Sequence, residues 1–141
     1  MFRQGPVGGD GGGSYSLTPD HPDDRISRVN CRSGAFVDRL IVTFVRPNGQ
    51  HYTKETGGNG GGLGTPLDIP RDDAIVEVSG RSGSFVDFLE IRTRKGRTQR
   101  WGGPGGLPYT FAVPGGNNVL VGFWGRSGAF VDGLGVDYLT Q

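Results

Sequence analysis

Apolar and polar residues alternate along short stretches of the chain, and a period of two is the period of a β-strand. Val29 and Cys31 precede a polar turn, and Leu40, Val42 and Phe44 follow it with the same alternation. Gly or Pro interrupts such stretches roughly every 8–12 residues, as in sheets of short antiparallel strands. The pattern predicts an all-β chain in which the alternating apolar positions share one core.

Two motifs recur in one register, which indicates an internal repeat. Arg-Ser-Gly-x-Phe-Val-Asp occupies positions 32–38, 81–87 and 126–132, at offsets of 49 and 45 residues. Gly-Gly-x-Gly-Gly begins at Gly8, Gly57 and Gly102 with the same offsets. We therefore predict a single domain, residues 1–141, with pseudo-threefold symmetry and about four strands per unit. Its repeats would span about 8–56, 57–101 and 102–141, the last closed by residues 1–7.

Composition supports a folded domain and argues against several functional classes. Gly accounts for 28 of the 141 residues and Pro for 9, yet Leu, Ile, Val and Phe together supply 35. The net charge is +1 and no apolar run approaches the roughly 18 residues of a membrane span, so we expect neither nucleic-acid binding nor membrane insertion. Cys31 is the single cysteine, which excludes an internal disulfide and a cysteine-based zinc site. No apolar signal-peptide region follows Met1, so we expect a cytoplasmic protein or one exported by a non-classical route.

The three Gly-x-x-x-Asp turns and the three glycine-rich loops together resemble the jacalin-related lectins, over essentially the whole chain. Because all three Asp-bearing turns are intact, the chain is similar to the three-site, griffithsin-like, mannose-specific type. The resemblance implies a β-prism I fold of three four-stranded Greek-key sheets, without catalysis, cofactor or metal. It also implies mannose- or glucose-type sugars as ligands, multivalent binding of mannose-rich glycans on glycoproteins, and a monomer or homodimer.

The chemistry of the turn suits a sugar. Gly and the small residue after it allow a tight turn with exposed N–H groups, while an ionised Asp offers two acceptor oxygens. Vicinal hydroxyls can donate to that carboxylate and accept from the amides, and hydrogen bonds to a charged group are the stronger kind. The family pairs each turn with the glycine-rich loop that follows it, with closure across the termini. The resemblance thus implies three carbohydrate-binding sites: Asp38, Ala35, Phe36 and Gly61; Asp87, Ser84, Phe85 and Gly106; Asp132, Ala129, Phe130 and Gly12.

The three Phe rings are expected to offer apolar edges to the C–H faces of the sugars. The sites are expected to be unequal, because the middle residue of each loop differs: Asn59, Pro104 and Asp10. In the galactose-preferring branch of the family, the first loop begins at a newly cleaved N-terminal Gly. Gly8 is internal here, which favours the mannose-type branch.

Two other functions remain open at this point. A glycoside hydrolase needs two carboxylates roughly 5–9 Å apart, which Asp10 and Asp132 could offer, although no other repeat has such a pair. A polyanion, such as a sulfated glycan or nucleic acid, could bind the basic hairpin of residues 92–100. Charges on exposed strands commonly serve instead to prevent edge pairing.

Further residues receive structural interpretations. Cys31, on the core-facing parity, is interpreted as an inert buried thiol. His21 and His51 stand alone, so a metal role is not expected. The arginines that recur in the motif are interpreted as structural or solvated rather than as ligand contacts: Arg32, Arg81 and Arg126. Three other charged residues lie on the parity opposite the core: Arg39, Glu90 and Asp137.

Overall fold

The structure is a computed structural model, which describes residues 1–140 as β-strands joined by turns and loops. No helix long and apolar enough to cross a membrane occurs in this range. The strands are β1 (Phe2–Gly8), β2 (Gly13–Leu17), β3 (Arg25–Ser33), β4 (Val37–Val45), β5 (His51–Gly57), β6 (Gly62–Leu63), β7 (Leu67–Asp68), β8 (Ile75–Ser82), β9 (Val86–Thr93), β10 (Thr98–Gly102), β11 (Leu107–Ala112), β12 (Asn118–Ser127) and β13 (Val131–Thr140).

The strands form three antiparallel sheets. Sheet I has the order β1-β13-β12-β2, sheet II β5-β4-β3-β6 with β7 also on β3, and sheet III β10-β9-β8-β11. The central pair of each sheet is consecutive in the chain and is joined by one Asp-bearing turn. The all-β architecture of three sheets, predicted from the repeat, is confirmed.

Sheet I contains both ends of the described chain. β1 pairs with β13, so that Phe2 lies opposite Tyr138 and Gly8 opposite Gly133. β2 pairs with β12 at the other edge of the sheet. The first residues of the chain therefore complete the sheet that contains the third Asp-bearing turn.

Sheet II departs from the expected four strands, because its outer strand is divided into β6 and β7, which both pair with β3. Trp101 of sheet III occupies the gap between them. A Cβ on Gly64 would lie 2.4 Å from Cδ1 of Trp101. Trp101 Nε1 donates to the Thr65 carbonyl at 3.1 Å, so the indole contacts backbone where a continuous strand would run.

The core lies between the three sheets and follows the predicted alternation. Val29, Cys31, Leu40, Val42 and Phe44 all have 0% exposure. Burial raises the pKa of the Cys31 thiol, which disfavours the reactive thiolate and agrees with an inert buried thiol.

Asp137 lies on the parity opposite the core, yet its side chain is fully buried. Arg3 on β1 covers it, with Nε donating to the carboxylate at 2.8 Å. The same guanidinium lies 4.3 Å from the ring centroid of Trp124, a cation–π contact. An outward-facing strand position is therefore buried by a long side chain from the neighbouring strand.

Candidate functional site

The three Asp-bearing turns meet at one end of the molecule. Phe36, Phe85 and Phe130 contact one another there, with ring centroids 5.0, 5.2 and 4.8 Å apart. Their edge-to-face and tilted arrangements are those preferred by aromatic pairs. The three rings, which were expected to offer apolar edges to the sugars, form one aromatic cluster, because the pseudo-threefold axis brings the turns together.

Each turn is hydrogen-bonded to the glycine-rich loop that follows it. Site 1 joins the Asp38 turn to residues 57–61, through Gly58 N–H donating to the Asp38 carbonyl at 2.8 Å. The same bond, also 2.8 Å long, occurs at the other two sites: from Gly103 to Asp87 at site 2 and from Gly9 to Asp132 at site 3. Site 3 is thus assembled from opposite ends of the sequence, as the closure across the termini required.

The last two glycines of each loop lie against the carboxylate. A Cβ on Gly60 would lie 2.6 Å from Asp38 Oδ2, and one on Gly61 would lie 2.7 Å from Oδ1. Gly61 also has a φ of +64°, which side chains rarely adopt. At site 2, a Cβ on Gly105 or Gly106 would lie 2.8 or 2.7 Å from a carboxylate oxygen of Asp87. At site 3, a Cβ on Gly11 or Gly12 would lie 2.6 or 3.0 Å from a carboxylate oxygen of Asp132. Missing side chains therefore leave room beside all three carboxylates.

The three carboxylates belong to buried residues: Asp38, Asp87 and Asp132 are 5, 7 and 6% exposed. Burial raises the pKa of Asp38, and the positive charge of Arg32 opposes this. Burial also raises the pKa of Asp132, opposed by Arg126 and by backbone N–H groups. These carboxyls are acceptors in a partly desolvated setting, where a hydrogen bond from a ligand is stronger.

The arginine that opens each motif holds the loop. Arg32 donates from Nε to the Gly60 carbonyl at 3.1 Å and from Nη2 to the Gly61 carbonyl at 2.9 Å. Arg81 makes the equivalent bonds to the carbonyls of Gly105 and Gly106, at 3.2 and 2.7 Å. Arg126 makes them to the carbonyls of Gly11 and Gly12, at 3.2 and 2.6 Å. The structural interpretation of these arginines agrees with these contacts. Their place within the motif was the sequence signal for a role at the site.

Arg39 also holds the loop of site 1, although it lies outside the repeated motif. It donates to the Gly58 carbonyl and to Asn59 Oδ1, both at 3.0 Å, and to Glu55 Oε1 at 2.7 Å. Phe88 and Gly133 occupy the equivalent positions in the other repeats. Only site 1 therefore has this brace on its loop.

Little in the site supports hydrolysis. Asp10 is exposed, whereas Asp132 is a buried residue, and neither Asn59 nor Pro104 repeats the pair. Within residues 1–140, no group of three or more metal-ligating side chains is present.

The basic hairpin has most of its charge compensated. Among its five basic residues, four lie within 4.0 Å of a carboxylate: Arg92 with Glu77, Lys95 with Asp72, Arg97 with Asp73 and Arg100 with Glu90. Paired charges of this kind leave little for a polyanion to neutralise.

Comparison with known proteins gives consistent results. The model of the jacalin-like lectin domain family matches residues 4–137. Horcolin from Hordeum vulgare is 34% identical over 147 residues, covering 96% of this chain and 94% of that protein. The wild-type Malaysian banana lectin superposes with a TM-score of 0.85 at 26% identity, covering 99% of both chains. AcmJRL, a mannose-binding jacalin-related lectin from Ananas comosus, has a TM-score of 0.82 at 24% identity and covers 99% of this chain and 98% of its own. These likenesses confirm the β-prism fold.

Proposed function

Because this chain belongs to the jacalin-like lectin domain family, it is a non-catalytic carbohydrate-binding protein, and we propose that it binds mannose-type sugars at three unequal sites. The observation that carries the proposal is the threefold repetition of one arrangement. At each site, a buried aspartate lies beside two glycines whose missing side chains leave its oxygens open to a ligand.

At each site the carboxylate accepts hydrogen bonds from two vicinal hydroxyls of the sugar, and backbone amides donate back to the same hydroxyl oxygens. At site 1 the available donors are Ala35, Phe36 and Gly61, whose amides have no hydrogen-bond acceptor within residues 1–140. Phe36 thus contributes its backbone N–H, while its ring belongs to the central aromatic cluster. No bond of the sugar is broken, because no acid–base pair accompanies the carboxylate.

The loop of site 3 supports mannose-type over galactose-type recognition. Residues 8–12 continue directly from β1, which is paired with β13, so a backbone amide rather than a free amino group precedes the loop. In the galactose-preferring branch of the family that this chain resembles, a newly cleaved amino terminus lies at that position.

The loop of one site contacts the turn of another, so the sites lie close together. A Cβ on Gly58 of the site 1 loop would lie 2.1 Å from the carbonyl oxygen of Ala129 in the site 3 turn, so the two backbones are in direct contact. A shallow site of one carboxylate and a few amides should bind a monosaccharide with a Kd of roughly 0.1–1 mM. Contacts of one branched glycan with two or three sites become intramolecular, which raises the apparent affinity by roughly 10²–10⁴.

Calorimetric titration with methyl α-mannoside tests the proposal. We expect up to three sugar equivalents, and each of Asp38→Asn, Asp87→Asn and Asp132→Asn should remove one. The triple variant should bind no mannoside and no mannose-rich glycan, while its circular dichroism and unfolding temperature stay close to those of the unchanged protein. Asp23→Asn, at an exposed aspartate away from the sites, is the matched control. Glycan binding by a folded triple variant would contradict the proposal.

A further inference from the structure

The end of the prism opposite the sugar sites contains a cavity of about 170 Å³. It lies where β3, β8 and β12 begin, whereas the Asp-bearing turns follow the ends of these strands. Residues equivalent under the threefold repeat line it: Arg25, Ala74 and Val119, and below them Ile26, Ile75 and Leu120. Ala74 and Val119 are small, and the cavity occupies the space beside them.

Three guanidinium groups line the cavity: Arg25, Arg71 and Arg94. Within residues 1–140, none of them has a carboxylate oxygen within 4.0 Å. Arg25 donates to the Ile69 carbonyl at 3.0 Å and Arg94 to the Asn118 carbonyl at 3.2 Å. A guanidinium has five N–H donors, so most of the donors in this cluster are unused.

The cavity wall also contains acidic residues, but other groups neutralise them. Each is paired with a cation outside the lining of the cavity: Asp24 with Arg46 at 3.4 Å, Asp72 with Lys95 at 2.6 Å and Asp73 with Arg97 at 3.2 Å. The charge left facing the cavity is therefore that of the arginines.

We propose that this cavity is an anion-binding site, in which Arg25 and Arg71, together with Arg94, bind a tetrahedral oxyanion such as a sulfate or phosphate group. The forked guanidinium donors suit such oxygens, and two forks can share one anion. Burial and the nearby Arg71 charge lower the pKa of Arg25, which indicates that the two cations repel each other. An anion between them removes that repulsion. The bound oxyanion is either a free inorganic ion or an acidic group on a glycan.

Calorimetry with sodium sulfate and sodium phosphate, at matched ionic strength in sodium chloride, tests the site. We expect saturable binding by the unchanged protein, weakened at least tenfold in Arg71→Gln and in Arg25→Gln. Arg71 is exposed, so its replacement should leave the fold intact even if Arg25→Gln does not. Arg92→Gln, at an arginine outside the cavity, should bind like the unchanged protein. Absence of saturable binding, or equal affinity in Arg71→Gln, would overturn the proposal.

The triple Asp→Asn variant separates this inference from the proposed sugar sites. If the cavity binds an oxyanion, sulfate binding should persist in that variant, and its loss there would also contradict the inference. Titrating the same variant with inorganic phosphate and with mannose 6-phosphate distinguishes the two sources. Tighter binding of the sugar phosphate supports a glycan-borne group, and equal binding supports the free ion.

Discussion

Sites 1 and 3 have the same carboxylate, the same glycine contacts and the same arginine clamp, but their loops are held differently. At site 1, Arg39 ties down Gly58 and Asn59, and the loop lies between β5 and β6 of one continuous chain segment. At site 3, Gly133 takes the place of Arg39, and the loop between β1 and β2 meets a turn from the other end of the sequence.

The comparison separates two contributions to binding. The repeated motif creates the acceptor oxygens and the space beside them, so it determines whether a site exists. Residues outside the motif determine how rigidly the loop presents its amides, and a preorganised site loses less entropy on binding. Identical motifs therefore do not imply equal affinities.

The largest expected effect comes from filling the space beside one carboxylate. Gly60→Ala places a Cβ 2.6 Å from Asp38 Oδ2, so the carboxylate or the loop must move. Loss of one charge-assisted hydrogen bond of about 1.5–3 kcal/mol should weaken site 1 by roughly 10–100-fold. Titration of mannoside in the Asp87→Asn, Asp132→Asn background measures site 1 alone.

Gly62→Ala is the control for that prediction, because a Cβ there meets nothing within 4 Å. Its mannoside affinity should match that of the same background with Gly62. Equal affinities of Gly60→Ala and Gly62→Ala would show that the open space beside Asp38 is not used. Gly11→Ala should reproduce the loss at site 3, where the corresponding distance is also 2.6 Å.

Acid should weaken both sites as the pH falls. Burial raises the pKa of Asp38 and of Asp132, with Arg32 and Arg126 opposing, so both carboxyls protonate above the ordinary value of about 3.9. Protonation removes the charge and one acceptor function, so sugar affinity is present above the raised pKa and is lost as the pH falls through it. Mannoside titrations from neutral to acidic pH, in the two single-site backgrounds, should show this. Unchanged affinity down to a pH of about 3.9 would contradict it.

The raised pKa values of Asp38 and Asp132 have the opposite effect on the stability of the fold, which decreases as the pH rises. The folded protein binds these protons more tightly than the unfolded chain does, so their contribution to stability is present below the unfolded pKa. That contribution is lost as the pH rises through the folded pKa. Urea unfolding of Asp38→Asn should therefore depend less on pH in this range than unfolding of the unchanged protein.

Removing the brace should make site 1 resemble site 3. Arg39→Gln loses the hydrogen bonds to Gly58 and Asn59, and a net loss of about 1 kcal/mol corresponds to roughly fivefold weaker mannoside binding at site 1. Site 3 should be unaffected, because Gly133 makes no such bonds. Equal weakening of both sites would instead indicate a general effect on the fold.

The smallest expected effect concerns Asp10. Its exposed carboxylate has no side-chain partner within residues 1–140, and the pKa of Asp132 responds to burial, Arg126 and backbone amides. Asp10→Asn should therefore change mannoside affinity at site 3 by less than about twofold, as expected for weakly interacting exposed charges. A larger change in either direction would show that Asp10 contacts the sugar or repels Asp132.

Much of the architecture was determined by the sequence alone. The common register of the two motifs predicted three equivalent sheets, and the alternation around Cys31 and Leu40 predicted which positions are buried. Both features can be read from the sequence because strand period and repeat spacing are properties of continuous chain segments. The Asp-bearing turns were predicted for the same reason, since each is a short local motif.

Only the tertiary structure decided how those segments meet. The Phe36 ring contacts Phe85 and Phe130, and Trp101 divides the outer strand of another sheet. Arg3 buries Asp137, a position that alternation alone would expose. Each of these contacts joins residues from different sheets or from opposite ends of the chain. Local periodicity carries no information on such pairs, because the pairing and packing of segments far apart in the chain determine them.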